Sequence, residues 1–156
     1  MDRDDLIAYV GRVHGRTYEA AECITDNLVE WRPREGEFSF AELVTHIANA
    51  RLMNAGNIHG EGLHYRGHRV KPGTTRADLL RLLLRSSKKS IAQLADSDLE
   101  RPVSSLTAPE IPAWNRVLGG LIEHEVHHRS QLCEYLRLAG IEPPALYGLH
   151  TEDLPQ

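Results

Sequence analysis

The chain has 156 residues, 41% hydrophobic and 26% charged, with a formal net charge of −4. That is the size of one domain, here 1–156, and it is long enough to bury a core without cross-links. The acidic balance argues against nucleic acid as a partner, and no apolar run approaches the roughly 20 residues that a membrane-crossing helix needs.

The opening MDRDDLIAYV carries charge where a signal peptide carries an apolar core, so a cytoplasmic protein is expected. The two cysteines, Cys23 and Cys133, stand too far apart for a zinc ribbon or a redox CxxC pair, and are expected as buried thiols. Nine histidines are many for this length and direct attention to metal or acid–base chemistry.

In chain order, the spacing of Leu6, Val10, Val13, Thr17, Ala20, Ile24 and Leu28 predicts a first helix over 3–30. His14 lies at the edge of that stripe, as a partly buried structural residue or as a pocket-lining one. Pro33 and Gly36 then break the pattern. Ser39 with Glu42 forms a capping box for a second helix, whose apolar face runs through Leu43, Ile47, Ala50 and Met53. His46 falls on or beside that face; Asn49, about one turn on, is placed either to orient a ligand or to meet solvent.

Residues 59–74 are rich in glycine and locally basic, with His64, Arg66, His68, Arg69 and Lys71. A connection this long is a solvated crossover or a cover over a site. Thr75 and Asp78 cap a third helix over about 75–95. Its core face carries Leu79, Leu82, Leu83, Ile91 and Leu94, interrupted by Ser86, Ser87 and Ser90. A proline-rich connector follows, with no alternation long enough for a strand. The last helix starts near Pro112 and stops before Gly140, a span of about 40 Å at 1.5 Å per residue. The tail is expected to pack Leu146 and Tyr147 over one end and then to fray.

The last helix carries HEVHHRSQL at residues 124–132. His124 and His128 stand four apart, so both rings leave one helical face, a spacing suited to one ion. His127 offers an alternative spacing from His124. Tetrahedral sites commonly take three protein ligands, which makes His46 the third candidate. Such an ion would acidify a water toward a pKa of roughly 7 or hold a thiol as the nucleophilic thiolate.

Residues 124–128 also match HExxH, the zincin signature, with Glu125 as the would-be base. The longer metzincin form needs Gly and His where this chain has Gln131, Leu132 and Glu134, and zincins need a sheet edge. Glu125 is instead expected on the solvent side, and Arg129 pointing outward or paired with an acid.

A broader match covers nearly the whole chain. ELVTHIANAR on the second helix, a long crossover, and HEVHHRSQLCEYLRLAGIEPP on the fourth together resemble the DinB/YfiT-like superfamily. His124, His128, Arg129, Gln131, Leu132, Tyr135, Leu136 and Gly140 fall on its pattern, with Ser130 in place of the usual glycine. The resemblance implies an all-α four-helix bundle with an up-down-down-up path. It implies a divalent ion held by His46, His124 and His128, with zinc or nickel foremost and iron or manganese compatible, and a homodimer. His127 is then placed at the pocket rim, and Gln131 near the core within reach of a ligand. Members include S-transferases that use low-molecular-weight thiols. The expected function is therefore metal-dependent chemistry on a small molecule, either thiol transfer or hydrolysis, in stress or detoxification. The alternative is a metal-binding stress protein that acts as a dimer without catalysis.

Overall fold

The structure, a computed structural model, describes residues 2–148. Three 20-residue helices, α1 (Arg3–Glu22), α2 (Phe40–His59) and α3 (Arg76–Ala95), each begin at a capping box: Asp2 with Asp5, Ser39 with Glu42, and Thr75 with Asp78. A last helical rod, α4, fills 113–138 in three contiguous pieces: α-helical Ala113–Arg116, π-helical Val117–Glu123 and α-helical His124–Leu138. It ends at Gly140, whose φ of 79° lets the Gly140 and Ile141 amides reach the Arg137 and Leu136 carbonyls.

The helix directions follow from two apolar layers. One layer joins Ala20 and Ala21 of α1, Phe40–Ala48 of α2, Leu79 and Leu83 of α3, and Leu132–Leu136 of α4. The other joins Leu6 and Val10, Ile58, Leu94, and Val117 and Leu121. The start of α1 thus meets the start of α4 and the ends of α2 and α3, which is the expected up-down-down-up path.

Several expectations are corrected. The first helix stops at Glu22 rather than near 30, because the chain turns at Cys23 and Thr25 is extended; Ile24 still packs into the core beside a short 3-10 turn, Asp26–Leu28. The connector after α3 holds a small antiparallel hairpin, β1 (Pro102–Ser104) with β2 (Glu110–Pro112), in which Val103 faces Ile111. Three residues are too few to show alternation, and the prolines pair with each other at the ladder's end. Arg129 does not point outward: it is buried and donates to the Val13 carbonyl and to Tyr147 Oη, both at 3.2 Å. Leu146 packs on the core as expected, whereas Tyr147 is exposed and lies against Arg16. The fraying expected of the tail falls on 149–156, outside the described residues. Of the two thiols, Cys133 is buried and Cys23 partly so. No helix among the described residues is long and apolar enough to cross a membrane.

Between the apolar layers lies a polar one. Arg51 of α2, 2% exposed, donates from Nε and Nη2 to the two carboxylate oxygens of Glu125, at 2.7 and 2.6 Å. Its Nη1 donates to the Leu83 carbonyl at 3.0 Å and lies 3.3 Å from Ser86 Oγ. Thr17 donates to Glu125 Oε1 at 2.6 Å, and His14 Nε2 lies 3.4 Å from Oε2. Glu125 is therefore buried at 1% exposure, not on the solvent side as expected from sequence. Burial pushes its carboxyl up, but the charge and hydrogen bonds of Arg51, with His14 and Thr17, outweigh that and hold it below the usual value.

The π-helical piece meets α2 at Gly120. Asn54 Nδ2 donates to the Gly120 carbonyl at 3.0 Å, and a Cβ at Gly120 would overlap Asn54 Oδ1. Replacing Gly120 by Ala is expected to destabilise the fold by about 1–3 kcal/mol through this overlap. Arg51→Met, which strands a buried carboxylate, is expected to cost about 3–5 kcal/mol. Urea unfolding of each variant against the parent chain checks both.

Candidate metal centre

His46 stands near the middle of α2, and His124 and His128 open the last piece of α4. Three side chains thus converge from two helices. His46 Nε2 lies 3.2 Å from His124 Nε2 and 3.0 Å from His128 Nε2. The trio offers three ligand atoms all within 4.8 Å of one another, an arrangement that can hold a metal ion. Donors around a tetrahedral ion at ~2.0–2.1 Å stand about 3.3 Å apart, close to these two spacings.

The other ring nitrogens have partners. His128 Nδ1 meets Gln131 Oε1 at 3.0 Å, an acceptor, so Nδ1 carries the proton and Nε2 presents its lone pair. His46 Nδ1 meets Tyr65 Oη at 2.6 Å, and that hydroxyl lies 3.4 Å from His68 Nδ1. In the tautomer in which His46 Nδ1 donates to Tyr65, and Tyr65 onward to His68, His46 Nε2 presents its lone pair to the other two rings. Three imidazole nitrogens that can turn their lone pairs to one point at this spacing form a donor set that fits an ion. Hydrogen bonds from the far side of ligand rings are the usual way such rings are oriented.

Tyr65 and His68 were missed in the sequence. Both come from the crossover between α2 and α3, which folds back over the centre instead of lying free in solvent. Asn49 Nδ2 donates to the Gly67 carbonyl at 2.7 Å and pins the crossover to α2, so Asn49 holds the cover and does not face the ions' ligands. Gly67 makes that turn at a φ of 78°. Phe38, just before α2, packs its ring 4.5 Å from His68 and 5.5 Å from His46. Tyr65 remains 41% exposed at the edge of the centre.

The remaining sequence candidates divide. Gln131 holds His128. His127 is exposed, with its ring edge-on to His128 at 4.8 Å, outside the trio. His14 is buried away from the trio, with Nδ1 3.0 Å from Ser87 Oγ and its other face toward Glu125.

The rings are kept neutral. Burial first, then the neighbouring His128, His124 and His68 rings, push His46 down to about 4. His124 is pushed down to about 4 by burial and His128, with His127 adding and Glu125 opposing. Burial also lowers His128, against the opposing hydrogen bond of Gln131. Three uncharged donors at neutral pH are what a cation requires.

Comparison with known proteins gives the family and the fold. The DinB superfamily pattern matches residues 10–132. The chain is 32% identical over 128 residues to the uncharacterized protein YjoA of Bacillus subtilis, covering 80% of this chain and 82% of YjoA. The crystal structure of YjoA, a DinB-like protein, superposes with a TM-score of 0.74 at 24% identity, over 91% of this chain and 97% of that one. YfiT of Bacillus subtilis, described as a probable metal-dependent hydrolase with an unusual four-helix bundle topology, superposes with a TM-score of 0.67 at 19% identity, over 90% and 89%. The chain belongs to the DinB superfamily.

In the metal-free protein, the His46 and His124 rings are expected to titrate near 4 rather than near the usual 6.5. An unfolded chain takes up these protons first, so the fold loses stability as pH falls from about 6.5 toward 4. Ring-proton NMR across that range, beside thermal unfolding, checks both.

Proposed function

We propose that this chain is a divalent-metal-dependent hydrolase of a small molecule, with the ion held by Nε2 of His46, His124 and His128. The observation that carries the reading is the convergence of three neutral rings whose Nε2 atoms lie 3.0 and 3.2 Å apart. A divalent ion among three uncharged imidazoles keeps its full charge and an open position, and supplies Lewis acidity that acidifies water and polarises a carbonyl. The description of YfiT as a probable metal-dependent hydrolase supports the same chemistry. Imidazole donors alone do not choose between zinc, nickel and other borderline ions.

The chain's own residues shape the rest. Gln131 and Tyr65 orient two of the rings. Phe38 and the crossover cover the trio and limit the approach of solvent. A cavity of about 540 Å³ opens beside Gln131, between Pro33, Arg34 and Glu37 on one side and Tyr135 and Leu138 on the other. Of the residues around the trio, Gln131 alone lines it, and none of the three ring ligands does.

Metal analysis of the purified protein is expected to find one divalent ion per chain. It is expected to be lost in His46→Ala and in His128→Ala, and also as pH falls toward 4, where the rings protonate. Retention of the ion by either variant would remove the ligand assignment. Hydrolysis across a panel of esters and amides is expected to stop with a chelator and return with added metal. Turnover that instead required an added low-molecular-weight thiol would replace hydrolysis with thiol transfer. An ion retained without turnover of either kind would leave a metal-binding protein.

A further inference from the structure

A chain of hydrogen bonds leaves the centre through His128 and ends on a carboxylate far from it in sequence. His128 Nδ1 meets Gln131 Oε1 at 3.0 Å, Gln131 Nε2 meets Tyr135 Oη at 3.3 Å, and Tyr135 Oη meets Glu37 Oε2 at 3.1 Å. Every middle member both donates and accepts. The last one, a carboxylate, only accepts. That fixes the direction of the whole series. Tyr135 must donate its hydroxyl proton to Glu37. Its oxygen then accepts from the Gln131 amide nitrogen, which turns the Gln131 carbonyl toward His128. His128 must therefore carry its proton on Nδ1.

We propose that Glu37 is a positioning residue for the centre, setting through Tyr135 and Gln131 which nitrogen of His128 bears the proton. The inference rests on the reading of His128 as a ligand, and it adds a residue from the loop before α2 that touches none of the three rings in that series.

The series is built to be rigid. Tyr135 is buried, with its ring set edge-on to Trp31 at 6.1 Å and to Phe40 at 5.9 Å. Burial, and then the hydrogen bond to Glu37, push its phenol up to about 12, so it keeps the proton it donates. Arg34 occupies the other Glu37 oxygen, with both Nε and Nη2 2.7 Å from Oε1, leaving Oε2 for Tyr135. The Glu37 carbonyl is held in turn by Arg32 Nη1 at 3.0 Å. The short loop between Trp31 and Ser39 thus presents one carboxylate oxygen in one direction.

Two variants test the direction. In Glu37→Gln the carboxamide can donate as well as accept, so the series can run either way and the proton on His128 is no longer fixed. In Tyr135→Phe the series is cut at its middle while the ring stays packed. The tautomer of His128 is read in the metal-free protein from its ring-nitrogen shifts in a long-range proton–nitrogen correlation spectrum. Zinc affinity is read separately by chelator competition. In the parent chain His128 is expected to carry its proton on Nδ1. Both variants are expected to raise the Nε2-protonated fraction and to bind zinc about 10–100-fold more weakly, the range seen when partners of ligand rings are removed. An Nε2 proton in the parent chain, or an unchanged tautomer in the two folded variants, would overturn the proposal. A tautomer that shifts as expected in a protein that binds no zinc would uphold the series and remove the metal reading instead.

Discussion

The buried pair of Arg51 and Glu125 is the contact on which the arrangement of helices depends. It lies between two apolar layers that, alone, would allow the helices to rotate and slide. Its partners come from every helix: His14 and Thr17 on α1, Arg51 on α2, Leu83 and Ser86 on α3, and Glu125 on α4. Taking two charges out of water is costly, and such a pair is weak evidence for added stability. What it supplies is register. A carboxylate gripped by both Nε and Nη2 of one guanidinium tolerates little displacement, and the Leu83 carbonyl and the hydroxyls of Ser86 and Thr17 meet the remaining donors and acceptors.

That register reaches the candidate metal centre through one peptide bond. Glu125 follows His124, and successive residues on an α-helix point about 100° apart. Holding Glu125 toward α1 and Arg51 therefore fixes the rotation at which His124 and His128 face His46. The π-helical piece immediately upstream contributes to the same phase. Seven residues wound more widely than an α-helix shift the face presented by everything that follows, and such insertions recur where a helix carries function. Gly119 and Gly120 lie within it, and at Gly120 the missing side chain lets the carbonyl accept from Asn54, tying the widened turn to α2.

The helices and the trio were legible because each left a periodic or spaced signal. Capping boxes at Ser39 and Thr75 mark two helix starts, and a histidine pair four apart with a third on a neighbouring apolar face marks the three rings that converge. The covering residues left none. Tyr65 and His68 sit in a glycine-rich crossover, where no period says which way a side chain points; the available hint was the density of aromatic and imidazole rings in a long connection. Glu125 is expected on the solvent side because a carboxylate is ordinarily solvated, and no period in the sequence marks its burial. The counter-signal was Arg51 within the apolar run of α2, a cation that a buried acid must answer. Two of the α3 serines take partners that no sequence period marks: Ser86 faces Arg51, and Ser87 meets His14.

The same pair also shapes the electrostatics of the centre. A carboxylate adjacent in sequence to a histidine ligand would, if free, be a candidate to coordinate the ion or to neutralise part of its charge. Arg51 and Thr17 occupy the Glu125 oxygens, so the charge of Glu125 is answered inside the bundle. Burial meanwhile keeps the three imidazoles uncharged. The donor set is then wholly neutral, and an ion held by it retains more acidifying power than one bound by a carboxylate. Arg51, which touches none of the three rings by hydrogen bond, thereby serves both ends at once: it locks the helix that carries two of them and withholds the nearest anion.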